Sequence, residues 1–435
     1  MLRALAWIGL CAAPAAAQES RPWLEEARGA GRWLASVALE TEHGLAWQAH
    51  PAGGGAPSTS LYAGAPGVVL LLYELERADP DGEWGALAER GADDLLARLP
   101  EVCVPGATGL YTGAAGVGFA LLEAGRLGGA ERHRAGARRC AEFLHEQALK
   151  TAAGARLSDV TDVIAGDAGA GFFLLVSARE LARPADKELA LRLGRELVTR
   201  ATKTEHGLDW AMTSTYERRM PNFSHGTAGV ACFLAALRSA GGEEALLEAA
   251  RAGAAHLLAT ANEDGGGFKL AHHTPGGEEL FYYSWCHGPP GTARLFRALG
   301  RATGDESWAL LERRCAAAVE EARLLEQRPA GFWNTVGRCC GNVGVAELFL
   351  DLAQARGGEH DLAVALAFAR DVLARATRGD GKVSWVQAEH RVRPDLLQAQ
   401  TGLMQGAAGI GLLFLRLDAH ERGRDDVLRM PEDRL

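Results

Sequence analysis

Two kinds of segment alternate along the chain. In one kind, apolar positions recur every third or fourth residue between charged ones. Ala27, Ala30, Leu34 and Val37 form such a stripe, and Trp84–Leu99, Ala130–Leu149, Asp186–Thr202, Glu243–Ala261, Asp305–Leu325 and Glu359–Ala376 follow the same pattern. This spacing predicts amphipathic helices with one buried face. The other kind opens on Gly-x-x-Gly and continues as an apolar run, as in "YAGAPGVVLLLYEL" from Tyr62 and "MQGAAGIGLLFLRL" from Met404. Its first glycines are Gly64, Gly113, Gly166, Gly226, Gly288, Gly341 and Gly406, separated by 49 to 65 residues. The apolar runs are hydrophobic nearly all round, which places them inside. Strand patterns are weak throughout.

Seven pairs of an amphipathic outer helix and an apolar inner helix make either an open solenoid or a closed ring. Burial of the inner helices favours closure, so the expectation is an all-α (α/α)7 toroid over residues 18–418, followed by a charged C-terminal tail at 419–435. Glycine at the inner helix starts is expected to let backbones crowd near the axis and to permit positive φ in the preceding turn.

Composition refines this picture. The chain has 435 residues and a net charge of −9, and no basic cluster stands out, so nucleic acid is not an expected partner. The opening "MLRALAWIGLCAAPAAAQES" has Arg3, a short apolar run and Ala15-Ala16-Ala17 before Gln18. That is the pattern of a signal peptide over residues 1–17, and predicts export to the periplasm or medium. No integral membrane segment is expected, and a monomer is.

Candidate chemistry lies in repeats four to six. The residues just before the first glycines are Ala63, Thr112, Ala165, His225, His287, Cys340 and Gln405. Equivalent positions in a ring face one central space. Cys286 and Cys339 stand one residue earlier, in neighbouring repeats, so Cys286, Cys339 and Cys340 can converge. Three thiolates suit zinc and leave a fourth position open, as catalytic sites do. The alternatives are a closed site completed by His287, His272 or His273, or a disulfide; the spacing favours the open zinc site. Cys140, Cys232 and Cys315 sit in apolar helical contexts and read as buried small hydrophobes. Trp285 and Trp333 are expected to wall the cavity.

"SHGTAG", "WCHGPPG" and "CCGNVG" resemble the three signatures of the lanthionine synthetase C family, and the Gly-x-x-Gly repeats resemble its toroid across nearly the whole chain. The resemblance implies Zn2+ on Cys286, Cys339 and Cys340, with His225 and Asp162 as catalytic residues. It implies addition of a thiol, from a peptide cysteine or glutathione, to a dehydroalanine or dehydrobutyrine, forming a thioether. Tyr282 and His287 stand where bacterial peptide cyclases often carry Arg and Tyr; "WCHG" is more similar to the eukaryotic members, linked to glutathione addition. Two other classes fit the fold: a zinc- or thiol-peptide-binding protein without turnover, and an exported carbohydrate-active toroid using Asp162, Asp167 and Glu347.

Overall fold

The computed structural model describes residues 20–262, 264–327, 335–388 and 397–434. The segment read as a signal peptide and Trp333 lie outside the described residues.

The seven inner helices are Ala65–Ala78, Ala114–Leu127, Asp167–Glu180, Thr227–Ser239, Pro289–Thr303, Asn342–Arg356 and Ala407–Glu421. Each starts at the residue after the first glycine of a repeat. The outer helices are Pro22–Ser36, Trp84–Ala97, Glu131–Gln147, Pro184–Thr199, Glu244–Thr260, Ser307–Glu321 and Glu359–Ala374. Six inner helices pack on the outer helix that follows them, and the seventh packs on Pro22–Ser36, the first in the chain. Neighbouring inner helices touch all the way round. The ring is therefore closed: an (α/α)7 toroid. The central core is built from the inner helices, whose first turns are buried nearly all round, as over Ala114–Gly125, while the outer helices bury one stripe, such as Leu24, Ala27, Ala30 and Leu34.

Both glycines of the repeat are required by close approach. At six of the second positions a backbone carbonyl six residues upstream presses on the Cα: a Cβ on Gly291 would lie 1.9 Å from Trp285 O and one on Gly409 1.9 Å from Leu403 O. At the first position, a Cβ on Gly226 would lie 1.2 Å from Met220 O. The expected positive φ is not found. The first glycines are extended, from φ −104 at Gly166 to −156 at Gly288, and no residue of the preceding turns has positive φ. Crowding alone explains the repeat.

The same turns clasp one another in a circle. Tyr62 N–H donates to Tyr111 O, Tyr111 N–H to Ile164 O, Val163 N–H to Ser224 O, Ser224 N–H to Cys286 O, Cys286 N–H to Cys339 O, Cys339 N–H to Met404 O and Met404 N–H to Tyr62 O, at 2.8 to 3.3 Å. One backbone hydrogen bond thus joins each inner helix start to the next around the axis. Nothing in the hydrophobic pattern predicts this belt.

Short hairpins follow several outer helices, among them Leu39–Glu40 with Leu45–Ala46 and Thr202–Lys203 with Leu208–Asp209. Three of the hairpins end on a tryptophan whose indole caps the outer helix: Trp47 Nε1 donates to Leu34 O at 2.9 Å, Trp210 Nε1 to Leu197 O at 2.7 Å, and Trp385 Nε1 to Val372 O at 2.8 Å. The C-terminal segment is charged, as expected, but its last residues are not a solvated tail. Leu428, Met430, Pro431 and Glu432 are buried, because Glu432 and Asp433 find cationic and hydroxyl partners inside the ring.

Candidate metal centre and active site

The hydrogen-bonded belt carries the chemistry. Cys286 and Cys339 are consecutive members of it, and Cys340 follows Cys339. Their sulfurs all lie within 4.8 Å of one another, and all three residues are buried. Cys286 Sγ and Cys340 Sγ are 3.6 Å apart. Two thiolates bound tetrahedrally to one zinc sit roughly 3.8 Å apart, from a Zn–S bond of about 2.3 Å, so the spacing suits such an ion. No disulfide joins them; all seven described cysteines are free.

Hydrogen-bond donors surround the sulfurs. Ser284 Oγ lies 3.3 Å from Cys286 Sγ. Gln405 Nε2 donates to Cys340 Sγ at 3.4 Å and to the Tyr62 hydroxyl at 3.1 Å. The Tyr62 hydroxyl also hydrogen-bonds Cys339, and burial together with the Cys339 and Cys340 sulfurs holds it well above the usual phenol range. Gln387 fixes Gln405 through Nε2 to Oε1 at 3.2 Å and accepts from Gly337 N–H at 3.0 Å.

The thiols share their protons. Burial pushes Cys286 up, but hydrogen bonds from Cys339 and Cys340 and the nearby His287 outweigh it, so Cys286 lies well below the usual thiol range. Cys339 and Cys340 lie well above it, chiefly because each hydrogen-bonds Cys286. Three clustered, buried sulfurs are a set that a divalent cation would complete by displacing their protons. The donor set therefore fits a soft metal, with three protein ligands. His287, His272 and His273 do not join it: among the described residues the cluster is cysteine only.

These histidines line one side of the site instead. The His225 and His287 rings are 5.6 Å apart, His287 and His272 4.2 Å, and His272 and Tyr282 4.7 Å. His225 is the partly exposed end of this row. Its Nδ1 is 2.6 Å from Asp162 Oδ2, and Asp162 is itself fully buried. Asp162 Oδ1 accepts from Ala165 N–H at 2.8 Å and Gly166 N–H at 3.0 Å, which locks the carboxylate against the start of the third inner helix. Burial lowers the tendency of His225 to protonate; the bond to Asp162, its charge and the Cys286 sulfur outweigh this, so the net shift is upward.

The structure thus brings Cys286, Cys339, Cys340, His225 and Asp162 to one end of the toroid. The other carboxylates considered for a sugar-cleaving site are engaged by other groups. Asp167 accepts from Leu157 N–H and Ser158 N–H and pairs with Arg200. Glu347 is buried against Arg338 and Arg294. Trp285 is not a cavity wall: it is fully buried, edge-on to Tyr111 and Phe223 at 5.5 and 5.3 Å.

Among the described residues no helix is long and apolar enough to cross a membrane. The family model of lanthionine synthetase C-like proteins matches residues 56–430. Among solved structures, a nisin cyclase superposes with a TM-score of 0.63 at 19% identity, covering 83% of this chain and 89% of that one. The Lin0763 protein from Listeria innocua gives 0.52 at 12% identity over 93% and 99%. A family 76 glycoside hydrolase from a bovine Bacteroides thetaiotaomicron strain gives 0.51 at 11% over 93% and 78%. At these identities the likeness is one of fold. A search of curated protein sequences gave no significant match.

Proposed function

Since the chain belongs to the lanthionine synthetase C-like family, we propose that it adds a thiol across the double bond of a dehydroalanine or dehydrobutyrine residue, forming a thioether. The observation that carries this is the convergence of three buried thiols beside the His225–Asp162 pair. Zinc bound by Cys286, Cys339 and Cys340 would supply a Lewis acid with an open position that favours a substrate thiol as thiolate.

The chain's own groups handle the protons. The reaction breaks the S–H bond and the C=C π bond and forms C–S at Cβ and C–H at Cα; the thiol proton leaves to water, and His225, after protonating Cα, regains a proton from water. Asp162 accepts the Nδ1–H of His225, leaving Nε2 to face the cavity. That nitrogen donates the proton to Cα, and the upward shift of His225, from its bond to Asp162, favours the proton-bearing form. The belt fixes the sulfurs relative to His225, since Ser224 and Cys286 are themselves hydrogen-bonded. The substrate is a dehydrated peptide or dehydroamino acid with an internal cysteine or glutathione as the thiol. Intermolecular addition is expected to outrun ring closure, because Tyr282 stands where peptide cyclases often carry Arg. The protein acts as an exported monomer.

The test is incubation of dehydroalanine peptides with glutathione, and separately of peptides bearing an internal cysteine, using zinc-loaded and chelated protein. Zinc-dependent thioether formation that falls about 100-fold or more in His225→Ala supports the proposal. If the zinc-loaded protein is no faster than the chelated one on either substrate, a binding role without turnover replaces it.

A further inference from the structure

Behind the thiols lies a buried charge cluster that the proposed chemistry does not use. Its centre is Arg338, the residue before Cys339. Arg338 Nε donates to Glu347 Oε2 at 2.8 Å, Nη1 to the Tyr111 hydroxyl at 3.3 Å, and Nη2 to Asp433 Oδ2 at 3.2 Å. Its guanidinium lies 5.7 Å over the ring of Trp285, the residue before Cys286. One side chain therefore touches both segments that present thiols: one through the peptide bond to Cys339, the other through the indole beside Cys286.

What holds Arg338 comes from the end of the chain. Asp433 Oδ1 also accepts from Arg294 Nε at 2.8 Å, and the Tyr111 hydroxyl donates to Glu432. The segment is fastened at both flanks. Leu428 N–H donates to Glu74 at 3.2 Å, Arg429 pairs with Asp351 at 3.0 Å, and Arg434 pairs with Glu123 at 2.7 Å. It thus reaches the first, second, fifth and sixth inner helices. Arg294 and Arg338 are both buried; without Asp433, the two neighbouring guanidinium groups share Glu347, and Arg338 keeps only a longer pairing to Glu432 at 3.9 Å besides. A buried cation deprived of a partner moves toward water or toward another anion, and Arg338 cannot move without drawing on Cys339.

We propose that the C-terminal segment Leu428–Arg434 is a positioning element for the thiol site, acting through Asp433 and Arg338 to set the separation of Cys286 from Cys339 and Cys340. This rests on the reading of the three thiols as a metal site, and the experiment separates the two. Asp433→Asn, Asp433→Glu, Arg434→Ala and a chain ending at Gly423 are compared with wild type in three measurements. These are zinc affinity by chelator competition, the thiolate-to-metal absorption of the cobalt(II) form, and capture of phenylarsine oxide, which bridges closely spaced thiols whatever metal the site takes. Thermal unfolding is followed alongside.

Asp433→Asn is expected to weaken zinc binding about 10- to 100-fold, the usual effect of disturbing groups behind a ligand, to alter the cobalt spectrum and to slow arsenical capture. Asp433→Glu should restore part of each. Arg434→Ala should lower the unfolding temperature and leave the thiol measurements unchanged. If Asp433→Asn does not fold, the Asp433→Glu and truncated chains carry the same comparison. Wild-type affinity, spectrum and arsenical capture in a folded Asp433→Asn, or in the truncated chain, overturn the proposal, as does loss of all three in proportion to stability in Arg434→Ala. Wild type that takes up arsenical but neither zinc nor cobalt refutes the metal reading, while a difference in arsenical capture in Asp433→Asn still upholds the positioning role.

Discussion

Two glycines of one inner helix, Gly291 and Gly300 in Pro289–Thr303, are expected to respond to alanine with opposite signs. In general, Gly→Ala inside a helix stabilises by about 1 kcal/mol through propensity and the unfolded state. At Gly300 nothing opposes this: an added Cβ would find Trp308 Cβ at 3.7 Å and nothing closer. At Gly291 the added Cβ would lie 1.9 Å from Trp285 O and 2.7 Å from Phe223 Cβ. The carbonyl must retreat by at least about 1 Å to reach even a tight contact, and it belongs to a turn pinned by the hydrogen-bonded belt. Overpacking of a rigid interior costs about 1–3 kcal/mol, and the displaced turn carries Cys286, so metal affinity should fall too. Chemical denaturation of the two single variants at one pH reads the stabilities. Gly300→Ala is expected to raise stability by about 0.5–1 kcal/mol, and Gly291→Ala to lower it by about 1–3 kcal/mol. If Gly291→Ala is as stable as wild type and binds zinc normally, close approach is not why the second glycine recurs.

Asp162→Asn keeps an oxygen for the Ala165 and Gly166 amides but removes the charge facing His225. Burial then acts unopposed by that charge, and the His225 titration followed by NMR should move down; an unmoved titration would refute the coupling. Asp162→Ala also removes the acceptor for the Ala165 and Gly166 amides and should cost about 1–3 kcal/mol of stability, a loss Asp162→Asn avoids. Burial pushes the Glu432 carboxyl up to about 7. A carboxyl raised on folding stabilises below its unfolded pKa and loses that contribution as pH rises through the folded value. Stability should therefore drop between about pH 4.5 and 7, by up to about 3 kcal/mol, and Glu432→Gln should flatten that part of the profile; an unchanged profile counts against it. Alanine at Cys286, Cys339 or Cys340 should abolish stoichiometric zinc in elemental analysis, whereas Cys315→Ala, buried in an outer helix, should retain it.

The helix pairs were legible because their cause is local and repeated. Each close approach forbids a side chain, so each leaves a glycine, and seven copies are hard to miss. The thiols were legible because three cysteines at matched ring positions have few other uses. What went unread depends on distant partners. Asp433 looks solvated in the sequence, since Arg338 and Arg294 lie 95 and 139 residues away. Tyr62 and Gln405 come from repeats whose other features are only packing, yet they hydrogen-bond the sulfurs. One missed signal was present: "TEHGLAW" and "TEHGLDW" repeat the hairpin and its capping indole at Trp47 and Trp210. Gly44 and Gly207 there both have φ +153, with a carbonyl 2.0 Å from where a Cβ would stand.

The pairing of the first outer helix with the last inner one has a consequence for how the protein is made. Arg21 grips Asp418, and Trp23 Nε1 donates to Glu421 at 2.8 Å, across separations of 397 and 398 residues. Until the final helix has emerged, the stripe on Pro22–Ser36 lacks its main native cover, and Met404 is not there to accept from Cys339. A nascent chain carries every cysteine of the site well before it can clasp the belt that spaces them. Closure of such a long circuit is slow relative to local helix formation. Ring closure, rather than synthesis of the ligands, is then the event that turns three reactive thiols into one ordered centre.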